Sequence, residues 1–381
     1  MQETTFGKRF RFWSVLTVIS IYLLILVGGV VRATGSGMGC PDWPKCFGQW
    51  VPPTEASQLP VNYKQVYTSQ RVAKNQKLAR TLASLGFKQV AGNIFAHPTQ
   101  YIETDFNATK TWIEYINRLL GALIGIFVFV TAVVAWPYWR RDRPVFWLAV
   151  ASWLLTGFQG WLGSLVVSTN LLPIMVTIHM GLALFIVALL LYAAHRARWS
   201  TVEQELSHQL ELETLGGQDE EEVAVATGMR WLLWGALLLT FGQIIIGTQV
   251  REEIDQIAAA AGYAQRATWI DKLGSVFESH RTLSAIVVLV IVYVGYQLWQ
   301  MAVPALRRLV MATLVVLGLE MMAGITLAYF ALPALVQPVH LTLATMLFGT
   351  QFLTLLALRR LAKLGADTMT LATSAVHEYP R

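Results

Sequence analysis

Charged residues are scarce in this chain. Asp, Glu, Lys and Arg make up 14% of its 381 residues, against 55% hydrophobic. A soluble globular domain carries roughly 25% charge, so that class is excluded and a membrane protein is indicated. A convincing small-residue cleavage site is also missing after the first apolar run. That run therefore reads as a retained helix and not as a removed leader. No basic face with interleaved aromatics occurs, so the net charge of +6 is not a nucleic-acid signal. Proline rarely falls in the middle of an apolar run, which argues against the broken helices of a repeat-built transporter. Cysteine is confined to Cys40 and Cys46, both in one polar segment. Their spacing is compatible with a disulfide-closed loop but does not require one.

What the chain has in quantity is long apolar sequence. A bilayer core takes about 20 apolar residues per helix. Eight runs qualify, at 11–31, 113–136, 145–168, 173–194, 230–250, 275–299, 307–330 and 334–358. Trp13, Trp112, Trp136, Trp139, Trp231 and Trp299 lie near run ends, as in an interfacial aromatic belt. Basic residues cluster in alternate short connections: Lys8, Arg9 and Arg11, then Arg140, Arg141 and Arg143, Arg196 and Arg198, Arg307 and Arg308, and Arg359, Arg360 and Lys363. Positive charge marks the cytoplasmic side. The expectation is an eight-span protein of a bacterial-type inner membrane with both termini cytoplasmic. Cys40 and Cys46 then face the oxidising side, where a disulfide can persist.

The sequence repeats itself. Gly28 and Arg32 match Gly247 and Arg251, and Asn117-Arg118 matches His280-Arg281. Gln159 and Gly163 match Glu320 and Gly324, and His179 matches His340. Four correspondences in one order predict an all-α fold of two pseudosymmetric four-helix bundles, related by an axis along the membrane normal. The expected organisation is a bundle over 1–198 with a long external loop at 32–112, and a cytoplasmic linker at 199–229. A second bundle over 230–365 and a tail at 366–381 follow. Within the first loop, 64–87 is compatible with a helix. The linker is rich in Glu and reads as solvated and partly flexible. A further external segment, 251–274, reads as partly helical through its alanine run.

Four equivalent helix positions emerge, and histidine occupies three: His179, His280 and His340, with Asn117 in the fourth. Counted at about 1.5 Å rise per residue, His179 and His340 lie roughly 10 Å into their helices. An intramembrane histidine is costly unless paired, which marks it as functional by default; an interhelical hydrogen bond is the bland alternative. Matched placement in a duplicated chain favours axial ligation of haem iron between helices, most firmly for His280 with His340.

Glu114 lies one turn before Asn117 on the same face. It is either a simple charge at a helix N-terminus or a carboxylate beside a reactive centre, able to move protons. The matching position in the second half is Phe277. One half thus has a carboxylate and a single histidine; the other has two histidines and no carboxylate at that place. Arg32, Arg118, Arg251 and Arg281 can pair with haem propionates or snorkel to the interface. Glu320 in its apolar run reads as an interhelical hydrogen-bonding residue.

These residues resemble a known family. Gly35-Ser36-Gly37 followed by Cys40-Pro41-Asp42-Trp43-Pro44-Lys45-Cys46, then Glu114-Tyr115-Ile116-Asn117-Arg118, Gln159-Gly160-Trp161-Leu162-Gly163, the His179 helix, His280-Arg281 and His340 are together similar to the haem A synthase family, over nearly the whole chain. The resemblance implies haem b between His280 and His340, with haem O as substrate and haem A as product in the first bundle, near Glu114. It implies dioxygen as co-substrate, oxidising a ring methyl to an aldehyde by successive hydroxylation, with electrons from outside the chain. Cys40 and Cys46 correspond to a structural or redox pair. Haem O synthase, oxidase assembly factors or a second copy of the chain are the partners it suggests. Asn117 departs from the family's histidine, so the substrate haem is expected on His179 alone, five-coordinate. The rival reading is a di-haem b electron-transfer membrane protein without oxygenase activity.

Overall fold

The computed structural model describes residues 5–94, 105–169, 171–210, 220–262, 264–301 and 303–378. Parts of the expected loop (95–104), of the linker (211–219) and of the tail (379–381) lie outside the described residues. The fold is all-helical. The helices are α1 (Thr5–Ala33), α2 (Tyr63–Ser84), α3 (Lys88–Asn93), α4 (Ala108–Val134), α5 (Tyr138–Arg141), α6 (Arg143–Ser168), α7 (Pro173–Leu210), α8 (Glu220–Ala260), α9 (Ser275–Gln300), α10 (Pro304–Tyr329) and α11 (Val336–Glu378). Eight of them are long and apolar enough to cross a membrane: α1, α4, α6, α7, α8, α9, α10 and α11. The protein is a polytopic membrane protein.

Local chemistry sets the ends. The side chain of Asn107 accepts from the Lys110 N–H at 3.0 Å, capping α4 and satisfying one of its free donors. Proline stands in the first turn of α6 and of α10, where its missing N–H costs nothing. Two segments extend the membrane helices. The segment after 250 is partly helical, as its alanine run suggested, and its helix is continuous with α8, which runs on to Ala260; Ile254 and Ala258 join Val250, Trp269 and Leu332 in a small apolar cluster beyond the membrane-length core. The ends of the 199–229 linker are helical too, since α7 continues to Leu210 and α8 begins at Glu220.

The helix contacts close into two rings. In the first, α1 packs on α4 and α7, and α6 packs on the same two helices. In the second, α8 and α10 each pack on α9 and α11. Leu184 apart, the core of the second ring is built by its own side chains, among them Leu233, Leu237, Leu298, Leu306, Leu355 and Leu358. The first ring is filled by Ile124, Val128, Val187 and Leu190.

The rings meet mainly where α1 crosses α11, and two glycines permit the approach. A Cβ on Gly29 would meet the Pro338 Cβ at 2.8 Å, and one on Gly349 would run into the Tyr22 hydroxyl. Lipid provides no hydrophobic drive between helices, so association relies on such close backbone packing. Thr177 and Thr248 add a hydroxyl–hydroxyl bond of 3.0 Å between α7 and α8.

Candidate functional site

The predicted residues gather at the loop end of the bundle, where α1, α6, α8 and α10 finish and α4, α7, α9 and α11 begin. Each of the four equivalent positions faces a glycine on the preceding membrane helix. A Cβ on Gly163 would lie 3.4 Å from His179 Cε1, on Gly247 3.3 Å from His280 Cε1, and on Gly324 3.3 Å from His340 Cε1. The fourth is looser, with Gly28 at 4.0 Å from Asn117 Oδ1. The glycines give each imidazole room to lie against the neighbouring backbone.

A polar residue four positions before the glycine holds three of these pairs. Gln159 Nε2 donates to the His179 carbonyl at 2.8 Å. Gln243 Nε2 donates to the His280 carbonyl at 2.9 Å. Glu320 Oε1 lies 3.0 Å from His340 Nδ1. In the fourth pair the place belongs to Leu24, which packs in the apolar core of the first ring.

Gln243 does not stand out in the sequence, because α1, the repeat equivalent of α8, has Leu24 at the matching place. Its distance to Gly247, equal to that of Gln159 to Gly163 and of Glu320 to Gly324, is the signal that finds it.

These residues fit axial ligation of haem. Nδ1 of His179 and of His280 is enclosed and makes no hydrogen bond, Nδ1 of His340 faces Glu320 Oε1, and the Gln243 amide stands 3.5 Å from His280 Nε2; an imidazole nitrogen free of protein partners is what a metal would take. In each ring the two positions sit on diagonally placed helices, α4 with α7 and α9 with α11, so the interior of the ring lies between them.

The second assembly is the disulfide loop and Glu114. Cys40 and Cys46 are bonded, with Cα atoms 4.9 Å apart. The loop is pinned to α4 by a dense set of bonds. Glu114 is buried and accepts from the Cys40 N–H at 2.8 Å. Arg118 donates to the same carboxylate from Nη2, and from that nitrogen also to the Cys40 carbonyl at 3.1 Å. Its Nη1 donates to the carbonyls of Asp42 at 2.6 Å and Lys45 at 3.1 Å. Asp42 closes the loop on itself by accepting from the N–H of Phe47 and of Gly48. Thr111 donates to the Gly39 carbonyl at 2.9 Å. Gly39 is required there, since a Cβ would meet Lys110 backbone at 2.5 Å. Phe47 anchors the outer side among Tyr63, Tyr67 and Phe106. Asp42, Thr111 and Gly39 carry no sequence signal of this role beyond lying in the cysteine segment or on α4.

The four arginines separate. Arg118 serves the loop. Arg32 pairs with Asp255 at 3.1 Å and Arg251 pairs with the same carboxylate at 2.7 Å. Asp255 thus ties α1 to α8, through the two arginines that the repeat makes equivalent. Arg251 also donates to Gln337 at 2.7 Å. Arg281 is exposed.

Fold and site together define a polytopic all-helical membrane protein with polar, histidine-bearing seams between its helices and a disulfide loop locked over a buried carboxylate. The chain belongs to the family of cytochrome oxidase assembly proteins, which it matches over residues 11–89 and 87–352. Relatives of this chain include a haem A synthase of Shewanella oneidensis, 25% identical over 68% of this chain and 62% of the relative. One of Methylorubrum populi is 28% identical over 49% of this chain and 45% of its own. One of Listeria monocytogenes is 22% identical over 92% of this chain and 96% of its own. The chain spans less than two thirds of the first of these and of several others, down to 38%.

Proposed function

We propose that the protein is a haem A synthase, oxidising a ring methyl of haem O to the formyl group of haem A by successive hydroxylations. Each hydroxylation takes one dioxygen and two electrons, which come from outside the chain. The observation that carries this reading is the difference between two equivalent sites. The second ring has two histidines, His280 and His340, each with a polar partner. The first has His179 with Gln159, but Asn117 with Leu24, and Glu114 one turn from Asn117. A protein that only passed electrons would have no use for a site stripped of one ligand and given a buried carboxylate. The haem A synthase names of its relatives support the same reading.

In this account the two rings are pseudosymmetric bundles. His280 and His340 hold haem b, which supplies electrons to the reaction when bound. Haem O is the substrate of the first ring; His179 would hold it, and Asn117, a poor ligand for iron, stands where the second histidine would be. Glu114 holds or moves protons beside that site, and the Arg118–Cys40 contacts keep its carboxylate in place. Arg281 is the arginine left for a propionate. The basic loops set both termini on the cytoplasmic side of an inner membrane. Haem O synthase and oxidase assembly factors are the natural neighbours, since haem O must be delivered and haem A removed.

The test is the purified Glu114→Ala variant supplied with haem O, dioxygen and reductant. Haem A formation is lost while haem b is retained. Unimpaired conversion overturns the role of Glu114. No conversion by the intact protein, with two haems b bound, favours the electron-transfer alternative.

A further inference from the structure

The polar residue four positions before each glycine recurs in three consecutive helical hairpins, α6–α7, α8–α9 and α10–α11. It is absent from the one hairpin, α1–α4, that lacks the histidine. If Gln159 and Gln243 served only to tie two helices together through a backbone carbonyl, the α1–α4 hairpin would need the same tie. It has Leu24 instead. The partner is lost with the imidazole, so the partner serves the imidazole.

The unpaired atoms say how. After donating from Nε2, Gln159 and Gln243 each keep a buried Oε1 without a hydrogen bond, and His179 and His280 each keep a buried Nδ1 without one. A buried polar group left unpaired costs about 1–3 kcal/mol. The Gln243 amide nitrogen also stands 3.5 Å from His280 Nε2. In the third hairpin the corresponding atoms, Glu320 Oε1 and His340 Nδ1, stand 3.0 Å apart.

We propose that Gln159, Gln243 and Glu320 are positioning residues. Glu320 accepts from the Nδ1–H of His340 and so fixes Nε2 as the nitrogen that meets iron, while Gln159 and Gln243 seat their histidines through the backbone carbonyl. Glu320 is the only carboxylate of the three, and it holds the haem of the second ring at a more negative reduction potential than an amide would. A ligating histidine ordinarily gives its other N–H to such a partner. A carboxylate acceptor pushes electron density into the ring and favours the oxidised metal, and hydrogen bonding around the ligands is one of the protein's levers on haem potential. The haem that donates electrons is thereby the stronger reductant. The inference rests on the assignment of haem b to His280 and His340.

Redox titration of the low-spin haem in the intact, haem-loaded protein tests it. Glu320→Gln moves the midpoint positive by at least a tenfold change in the reduced-to-oxidised ratio, about 59 mV for one electron. Gln243→Glu, which gives His280 a carboxylate, moves it negative. If Glu320→Gln sheds its haem, the negative shift in Gln243→Glu carries the test alone. Potentials unmoved in haem-loaded variants overturn the positioning role and leave the haem b site standing. Intact protein without a low-spin bis-histidine haem overturns the haem b assignment and this inference with it.

Discussion

The backbone N–H of Cys40 donates to Glu114 Oε2 at 2.8 Å. A carboxylate on α4 is thereby fixed by the loop that the Cys40–Cys46 bond closes. Arg118 completes the arrangement by holding the other carboxylate oxygen and three loop carbonyls. The loop and the carboxylate therefore form one unit, and disturbing either disturbs the other.

Opening that loop is predicted to reduce haem O oxidation without removing haem b. Closing so short a loop contributes about 2 kcal/mol in the chain-entropy account. The paired Cys40→Ser, Cys46→Ser variant retains Asp42 and Arg118 to hold the loop, so it lowers turnover and leaves the fold intact. Haem content and haem A yield, measured on the same preparation, separate the two effects.

Glu114→Gln keeps the shape of the side chain and its bond from Cys40 but removes the charge facing Arg118. A group that holds or moves protons contributes about 10²–10⁴-fold to a rate. The prediction is a loss of haem A formation in that range, with the spectrum of haem b unchanged. A rate within a factor of two or so of the intact protein would mean the carboxylate serves the loop alone.

Asn117→His restores the fourth histidine. The site has room, because Gly28 stands further from residue 117 than the other glycines do from their histidines. The substrate-side haem is predicted to change from high-spin to low-spin on this substitution, read by optical and electron paramagnetic resonance spectra, and haem A formation falls. A substrate-side haem already low-spin before substitution would show that another group fills the place opposite His179.

The glycines form a graded series. Gly247→Ala and Gly324→Ala put a methyl about 3.3 Å from an imidazole carbon, and overpacking of this kind costs about 1–3 kcal/mol. Both are predicted to lower haem b content. Gly163→Ala acts on the His179 side instead. Gly28→Ala, whose methyl would lie at ordinary van der Waals distance, 4.0 Å from Asn117 Oδ1, is tolerated. Equal haem loss across all four would mean that general helix packing, not the ring, sets the requirement.

Much of this was legible in the sequence for identifiable reasons. The eight spans were, because an apolar run of membrane length has few other uses and basic residues punctuate the connections. The four repeated positions were legible because duplication shows as ordered pairs. The continuation of α8 through Arg251, Glu252, Glu253 and Asp255 was hidden, because charge there reads as a membrane exit and a helix can pass through one. Asp255 itself was hidden, since only folding brings Arg32 and Arg251 to one carboxylate. The engagement of Arg118 by loop carbonyls was hidden for the same reason: backbone acceptors have no signature in residue type.

The central claim is that the first ring takes a haem to be oxidised and the second holds one that is not. Extraction of the haems from the purified protein, made in cells that contain haem O, and their identification by mass tests it most directly. The account predicts haem b together with haem O or haem A. Haem b alone, in both rings, would contradict it.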